Sequence, residues 1–130
     1  MKQIYVGIDI DKDNFVVAYK ERDIVFKKAT FNNDKKGITQ FLKSIDHSCW
    51  CVLDATGAYS VQLSLALHKQ GQMVSVINPL QLKRFALTKL KRTKTDSVDE
   101  ELIAEYGQRM QPGLFEPPDE YIRKLQQLRA

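Results

Sequence analysis

The hydrophobic period of this chain changes once, from strand-like to alternately helix-like and strand-like, and that order restricts the available folds. Ile4–Ile10 (IYVGIDI), Asn14–Lys20 (NFVVAYK) and Asp23–Phe31 (DIVFKKATF) are short β-rich runs. The first two are parted only by Asp11, Lys12 and Asp13, so an antiparallel meander is expected. From Asp34 to Ile45 the apolar residues Ile38, Phe41, Leu42 and Ile45 recur at three and four, the spacing of an amphipathic helix. Trp50–Leu53 is a short buried strand running into Asp54-Ala55-Thr56-Gly57. Ser60–Gln70 reads as a helix stopped by Gly71, and Met73–Ile77 as a fifth strand. Asn78-Pro79 opens another helix, with Asn as the cap and Pro in the first turn.

Strands joined through helices of this length run parallel and cross over right-handedly. Three meander strands followed by helix, strand, helix, strand and helix predict an α/β fold: a mixed five-stranded sheet flanked by helices. Few α/β folds begin with such a meander, and the ribonuclease-H-like fold is one that does. In that topology the first and fourth strands are neighbours and the sheet order reverses beside them. The crevice outside the carboxyl ends of the strands at such a point is where α/β proteins bind and react.

Two acids stand at that place. Asp9 lies inside an apolar run, between Ile8 and Ile10, and Asp54 follows Val52 and Leu53. Each alone reads as a strand-end turn residue. Side by side, two carboxylates repel and shift each other's pKa unless a cation lies between them, and hard divalent ions take oxygen ligands of this kind. Asp96 and Asp99 are spaced i, i+3 in KTDSVDEELIAEYG. In a helix beginning near Asp96 both would project from one face of the first turn. The same spacing is a capping signature favoured by the helix dipole, and Ser97 with Glu100 offers a competing capping box. Asp9, Asp11 and Asp13 do not make a calcium loop, because Asn14 stands where that loop needs Gly and Lys20 where it needs Glu. His47, Cys49 and Cys51 leave only His68 for a fourth zinc ligand, and no Walker loop or GxGxxG occurs.

The formal net charge of +4 conceals a strong asymmetry. Lys83, Arg84, Lys89, Lys91, Arg92 and Lys94 lie within one acid-free stretch; the rest of the chain holds 14 basic and 16 acidic residues. A basic band on a slightly acidic body fits either a polyanionic partner or a solvated helix face. Phe85, within the band, is expected in the core. No apolar run approaches the roughly 18 residues of a membrane span. Two cysteines in CWC cannot build a disulfide framework, so a reducing, cytoplasmic setting is expected.

Four segments in order and spacing, YVGIDIDKDNF, LDATGAYSVQLSLAL, VSVINPLQLKRFA and KRTKTDSVDEELIAEYG, resemble the N-terminal domain of the DEDD insertion-sequence transposases. This is the Piv-invertase-like family, whose members are also described as bridge-RNA-guided recombinases. The resemblance covers roughly the first 110 residues and is specific as a set. It implies a RuvC-like fold and four catalytic acids holding Mg²⁺, with Mn²⁺ as the alternative: Asp9 in GID, Asp54 in DATG, and Asp96 and Asp99 in KTDSVD. In one respect the sequence departs from the family, whose second acid is usually Glu; Asp54 is one methylene shorter. The resemblance further implies a serine nucleophile on a separate C-terminal domain, DNA as substrate, a guide RNA as partner, and a homo-oligomer in the full-length bacterial or archaeal protein. On this reading Lys83, Arg84, Lys89, Lys91, Arg92 and Lys94 neutralise phosphates, with Thr93 and Thr95 adding hydroxyl contacts.

The domain is accordingly expected to span residues 1–112. Residues 113–130 read as a linker followed by the start of a helical segment, in which Tyr121, Ile122, Leu125 and Leu128 return at helical spacing without a stop signal. Two other functions fit the same residues. One is a RuvC-like nuclease using a metal-activated water; the other is a non-catalytic nucleic-acid-binding module in which the acids serve as caps and turns. An actin-like nucleotide-binding domain lacks support, since DKDN offers no Gly-rich phosphate turn.

Overall fold

The structure is a computed structural model and describes residues 3–21, 25–55, 57–88 and 99–117. The three opening strands are β1 (Tyr5–Ile10), β2 (Asn14–Glu21) and β3 (Val25–Asn32). They are followed by α1 (Lys35–Ser44), β4 (Trp50–Asp54), α2 (Ala58–Lys69), β5 (Met73–Ile77), α3 (Pro79–Thr88) and α4 (Glu100–Met110). The sheet order is β3-β2-β1-β4-β5. β1–β2 and β2–β3 are antiparallel, whereas β1–β4 and β4–β5 are parallel. The order therefore reverses beside β1, as the meander and crossovers predict.

Local chemistry sets the boundaries. Asp34 caps α1 by accepting from the Gly37 amide at 2.7 Å, and Asn78 accepts from the Leu80 amide at 2.8 Å, with Pro79 opening α3. Gly71, at φ +84°, turns the chain from α2 towards β5 in a conformation L-residues rarely adopt.

Both sheet faces are buried, which explains the nearly continuous apolar runs of β1, β4 and β5. On one face Val6, Ile8, Phe15 and Leu53 pack with Ile38 and Phe41 of α1 and Leu63 and Leu67 of α2. Phe15, Phe31 and Phe41 form an aromatic triangle there, with ring centroids 5.3–5.5 Å apart. On the other face Val52 and Ile77 pack with Leu82 of α3 and Ile103 and Tyr106 of α4.

The segment after α4 does not simply leave the sheet. The Phe115 amide donates to the Val74 carbonyl at 2.7 Å, and the Phe115 ring packs against the first core face and edge-on to His68. Residues up to Phe115 thus cover part of the outer edge of β5, a position that composition alone reads as linker. Among the described residues no helix is long and apolar enough to cross a membrane.

Candidate active site

Asp9 and Asp54 are brought together by strand register. In the parallel β1–β4 pair, Ile8 stands opposite Leu53, so the next residue of each strand, Asp9 and Asp54, lies at the same level. Ile8 and Leu53 point into the face covered by α1 and α2. Alternation therefore sends both carboxylates to the opposite face, where Val52 meets α4.

α4 reaches this pair because β1 carries Gly7. A Cβ there would stand 2.0 Å from the Glu100 carbonyl oxygen and 2.4 Å from the Ala104 nitrogen, so only glycine lets the helix backbone lie directly on the strand. Gly107, further along α4, likewise sits against Val52 and Tyr5. The first turn of α4 is also tied sideways. Lys28 occupies the row Lys28–Ala18–Gly7 across β3, β2 and β1, and its Nζ lies 3.0 Å from Glu100 Oε1 and 2.6 Å from Glu101 Oε2. These two carboxylates hold the Lys28 ammonium above its ordinary pKa.

The helix start differs from the sequence expectation. α4 begins at Glu100, with Asp99 as its N-cap in extended conformation, rather than near Asp96. Asp99 Oδ1 accepts from the Leu102 amide at 2.9 Å, so Asp99 caps the helix instead of projecting from its first turn. Asp is a good N-cap at either position; Asp99 takes the role because the strand and Lys28 receive the helix at Glu100, immediately after it. The competing box needs Glu100 at the third helical position, whereas Glu100 is the first; Ser97 lies outside the described residues, as does Asp96.

The electrostatics follow from this crowding. Burial first, and then the charges of Asp54, Glu100, Asp11 and Asp99, push Asp9 up from its ordinary 3.8 to about 6. Burial likewise raises Asp54, whose Oδ1 is buried without a hydrogen-bond partner among the described residues. An unpartnered buried carboxylate oxygen beside a second acid suits a hard divalent cation, which takes oxygen donors and relieves the repulsion. The described acids fit such an ion as a pair. No three His, Cys, Asp or Glu side chains among the described residues converge closely enough to hold one. Asp99 lies within electrostatic reach of Asp9, but one of its oxygens is engaged by the helix.

Two contributors were not anticipated from sequence. Glu100 is only 8% exposed and faces both Asp9 and Lys28; in sequence it reads as an ordinary first-turn acid. Asn33 ties the β1–β2 turn to the first turn of α2, its Nδ2 donating to the Asp11 carbonyl at 2.9 Å and the Tyr59 carbonyl at 3.2 Å. Neither signal is local: Lys28 and Glu100 stand far apart in the chain. Asp11 and Asp13 are turn residues, as expected, with the Asp11 amide bonded to the Asn14 carbonyl and the Asp13 carbonyl to the Asn33 amide.

Of the basic band, Lys83 and Arg84 are exposed on α3. Lys89, Lys91, Arg92, Thr93, Lys94 and Thr95 lie outside the described residues. Phe85 is only partly buried: it packs against the second core face, edge-on to Tyr106.

Compared with known protein families, residues 6–130 match the IS110-type DEDD family, described as transposase. The chain belongs to this transposase family. Among curated relatives of this transposase chain are the pilin gene-inverting proteins of Moraxella lacunata, at 31% identity, and Moraxella bovis, at 30%. Each alignment covers 96% of this chain but 40% of the relative, so the transposase chain spans well under half the length of the proteins it matches. A solved structure of Thermus thermophilus RuvC shares the architecture at a TM-score of 0.52 and 15% identity, covering 84% of this chain and 97% of that one. The DEDD transposase chain therefore has the RuvC-like, ribonuclease-H-like fold.

Proposed function

We propose that this domain supplies the metal-binding half of the catalytic site of a DNA transposase or site-specific recombinase. The observation that carries the reading is the Asp9–Asp54 pair at the reversal point of the sheet, with Asp54 Oδ1 buried and unpartnered, in a chain of the transposase family. Asp9 and Asp54 would hold Mg²⁺, or Mn²⁺, with Asp99 and Asp96 completing the set from the start of α4 and the residues before it. A bound ion of this kind polarises a phosphoryl oxygen and neutralises charge that develops on it.

The chain's own residues do the rest. Asp9 and Asp54 are prepositioned by strand register, and Gly7, Lys28 and the Asp99 cap hold α4 against them. The band of Lys83, Arg84, Lys89, Lys91, Arg92 and Lys94, with Thr93 and Thr95, draws the phosphates of DNA or a guide RNA beside the acids. The nucleophile, a serine, comes from a part of the protein other than residues 1–112, which make up the RuvC-like domain. The assembled protein is a homo-oligomer working in the cytoplasm of a bacterial or archaeal cell.

The test is DNA cleavage by the 130-residue chain in Mg²⁺. The proposal expects DNA binding without nicking, and cleavage only when the chain is joined to a serine-bearing C-terminal domain of the family, lost again with Asp9→Asn. Nicking by the chain alone would establish the water-using nuclease instead. Failure to bind DNA at low salt would overturn both.

A further inference from the structure

A cleft of about 530 Å³ opens between α3 and α4, away from the acids. Gln81, Arg84, Phe85 and Thr88 line it from α3, and Tyr106, Arg109 and Met110 from α4. Three properties define what it can hold. Among the described residues no carboxylate lines it, although α4 opens with Glu100 and Glu101 and carries Glu105 in the next turn. One exposed guanidinium stands on each helix, and neither Arg84 nor Arg109 forms an ion pair with a described residue. Its floor is apolar: the Phe85 and Tyr106 rings meet edge to face at 5.3 Å, and Met110 beside them is 56% exposed.

An occupant must therefore bring negative charge to both walls and a flat apolar surface to the floor. Simple anions satisfy only the first demand, and a duplex, whose bases are stacked inside, satisfies the second poorly. A nucleotide unit of an unpaired strand meets both, with its phosphates on the arginines and its base on the aromatic and thioether surface. The volume lies within the range of small-ligand sites. The reaction read for this domain opens DNA strands, and α3 also carries the first cations of the basic band, Lys83 and Arg84.

We propose that the α3–α4 cleft is a subsite for single-stranded DNA, with Arg84 and Arg109 binding flanking phosphates and Phe85 and Met110 supporting a base. The proposal rests on the reading of the domain as a DNA-acting one but not on its metal site. It adds Arg109 and Met110, neither of which belongs to the basic band.

The experiment measures fluorescence anisotropy of a labelled ten-residue thymidine oligonucleotide titrated with the whole chain. An abasic strand of equal length, a duplex and a ten-residue uridine strand serve as comparisons. The thymidine strand is expected to bind several-fold more tightly than the abasic strand. Arg109→Ala should weaken it several-fold and reduce the slope of log affinity against log salt by about 0.7, the value for one phosphate on a single strand. Met110→Ser should weaken the thymidine strand while leaving the abasic strand and the salt slope unchanged. Both positions are exposed, so neither variant removes a buried contact. Equal affinity for thymidine and abasic strands would overturn the proposal, as would unchanged binding by Arg109→Ala. Tighter binding of the uridine strand or of the duplex would overturn its commitment to single-stranded DNA. Loss of the cleft effect with Mn²⁺ binding intact would count against this subsite alone; no binding of any nucleic acid would count against the functional reading itself.

Discussion

Asp9 is the residue on which stability and proposed function pull in opposite directions. Its carboxyl is raised from 3.8 to about 6 by burial and by the acids around it, so the folded state binds the proton more tightly than the unfolded chain does. The contribution is fully present below pH 4 and is lost as pH rises through about 6. The metal-free protein should therefore lose stability between pH 4 and 6 from this group. Asp9→Asn, which cannot ionise, should remove that decline and raise the melting temperature at pH 7; the shift corresponds to about 3 kcal/mol, which solvent screening of this half-buried group reduces to about 2 kcal/mol or less. Thermal melts of both proteins across pH 4 to 8 in chelator check this; a variant less stable at pH 7 would count against the repulsion. Asp99 is the converse case. As N-cap its loss in Asp99→Ala should cost the metal-free chain about 1 kcal/mol, measured by urea unfolding in chelator.

At the scale of elements, α4 is the part whose placement decides whether the acids form one site. Gly7 seats it and Lys28 restrains it. Gly7→Ala drives a methyl group into helix backbone that has no side chain to move aside. It should cost about 3 kcal/mol or more and release the start of α4 from Asp9, detectable as a fall in melting temperature and faster amide exchange in Leu102–Tyr106. Lys28→Met should cost at most about 1 kcal/mol, because its ammonium is well exposed. The order of elements was readable from periodicity, since both sheet faces are covered and the strands and helices carry ordinary stop signals. The placement of Asp9 beside Asp54 was also readable, because parallel register follows from the crossover. What could not be read was the start of α4. Asp96 and Asp99 are equally good caps in sequence, and the choice between them depends on where Gly7 and Lys28 receive the helix. The docking of Phe115 on the β5 edge was hidden for a similar reason, since the sequence from Pro112 onward has a linker's composition and the hydrogen bond that fixes Phe115 is tertiary.

At the scale of the whole molecule, charge and topology point the same way. The sheet reversal gathers acids at its centre, while the acid-free stretch begins with Lys83 and Arg84 exposed on α3 and its other four cations precede α4 in the sequence. If all six cations meet phosphates of duplex DNA, log affinity should fall with log salt at a slope of about −5. The triple variant Lys91→Ala, Arg92→Ala, Lys94→Ala should flatten that slope by about 3; an unchanged slope would remove the band from the interface. On the proposed function, Asp9 and Asp54 form a divalent-cation site before any DNA arrives. The most direct measurement is calorimetric titration of Mn²⁺ into the metal-free chain at pH 7. The native chain is expected to bind, and binding to be lost in Asp9→Asn and in Asp54→Asn while both variants stay folded; unchanged binding by a chain carrying both substitutions would contradict a cation site at this pair.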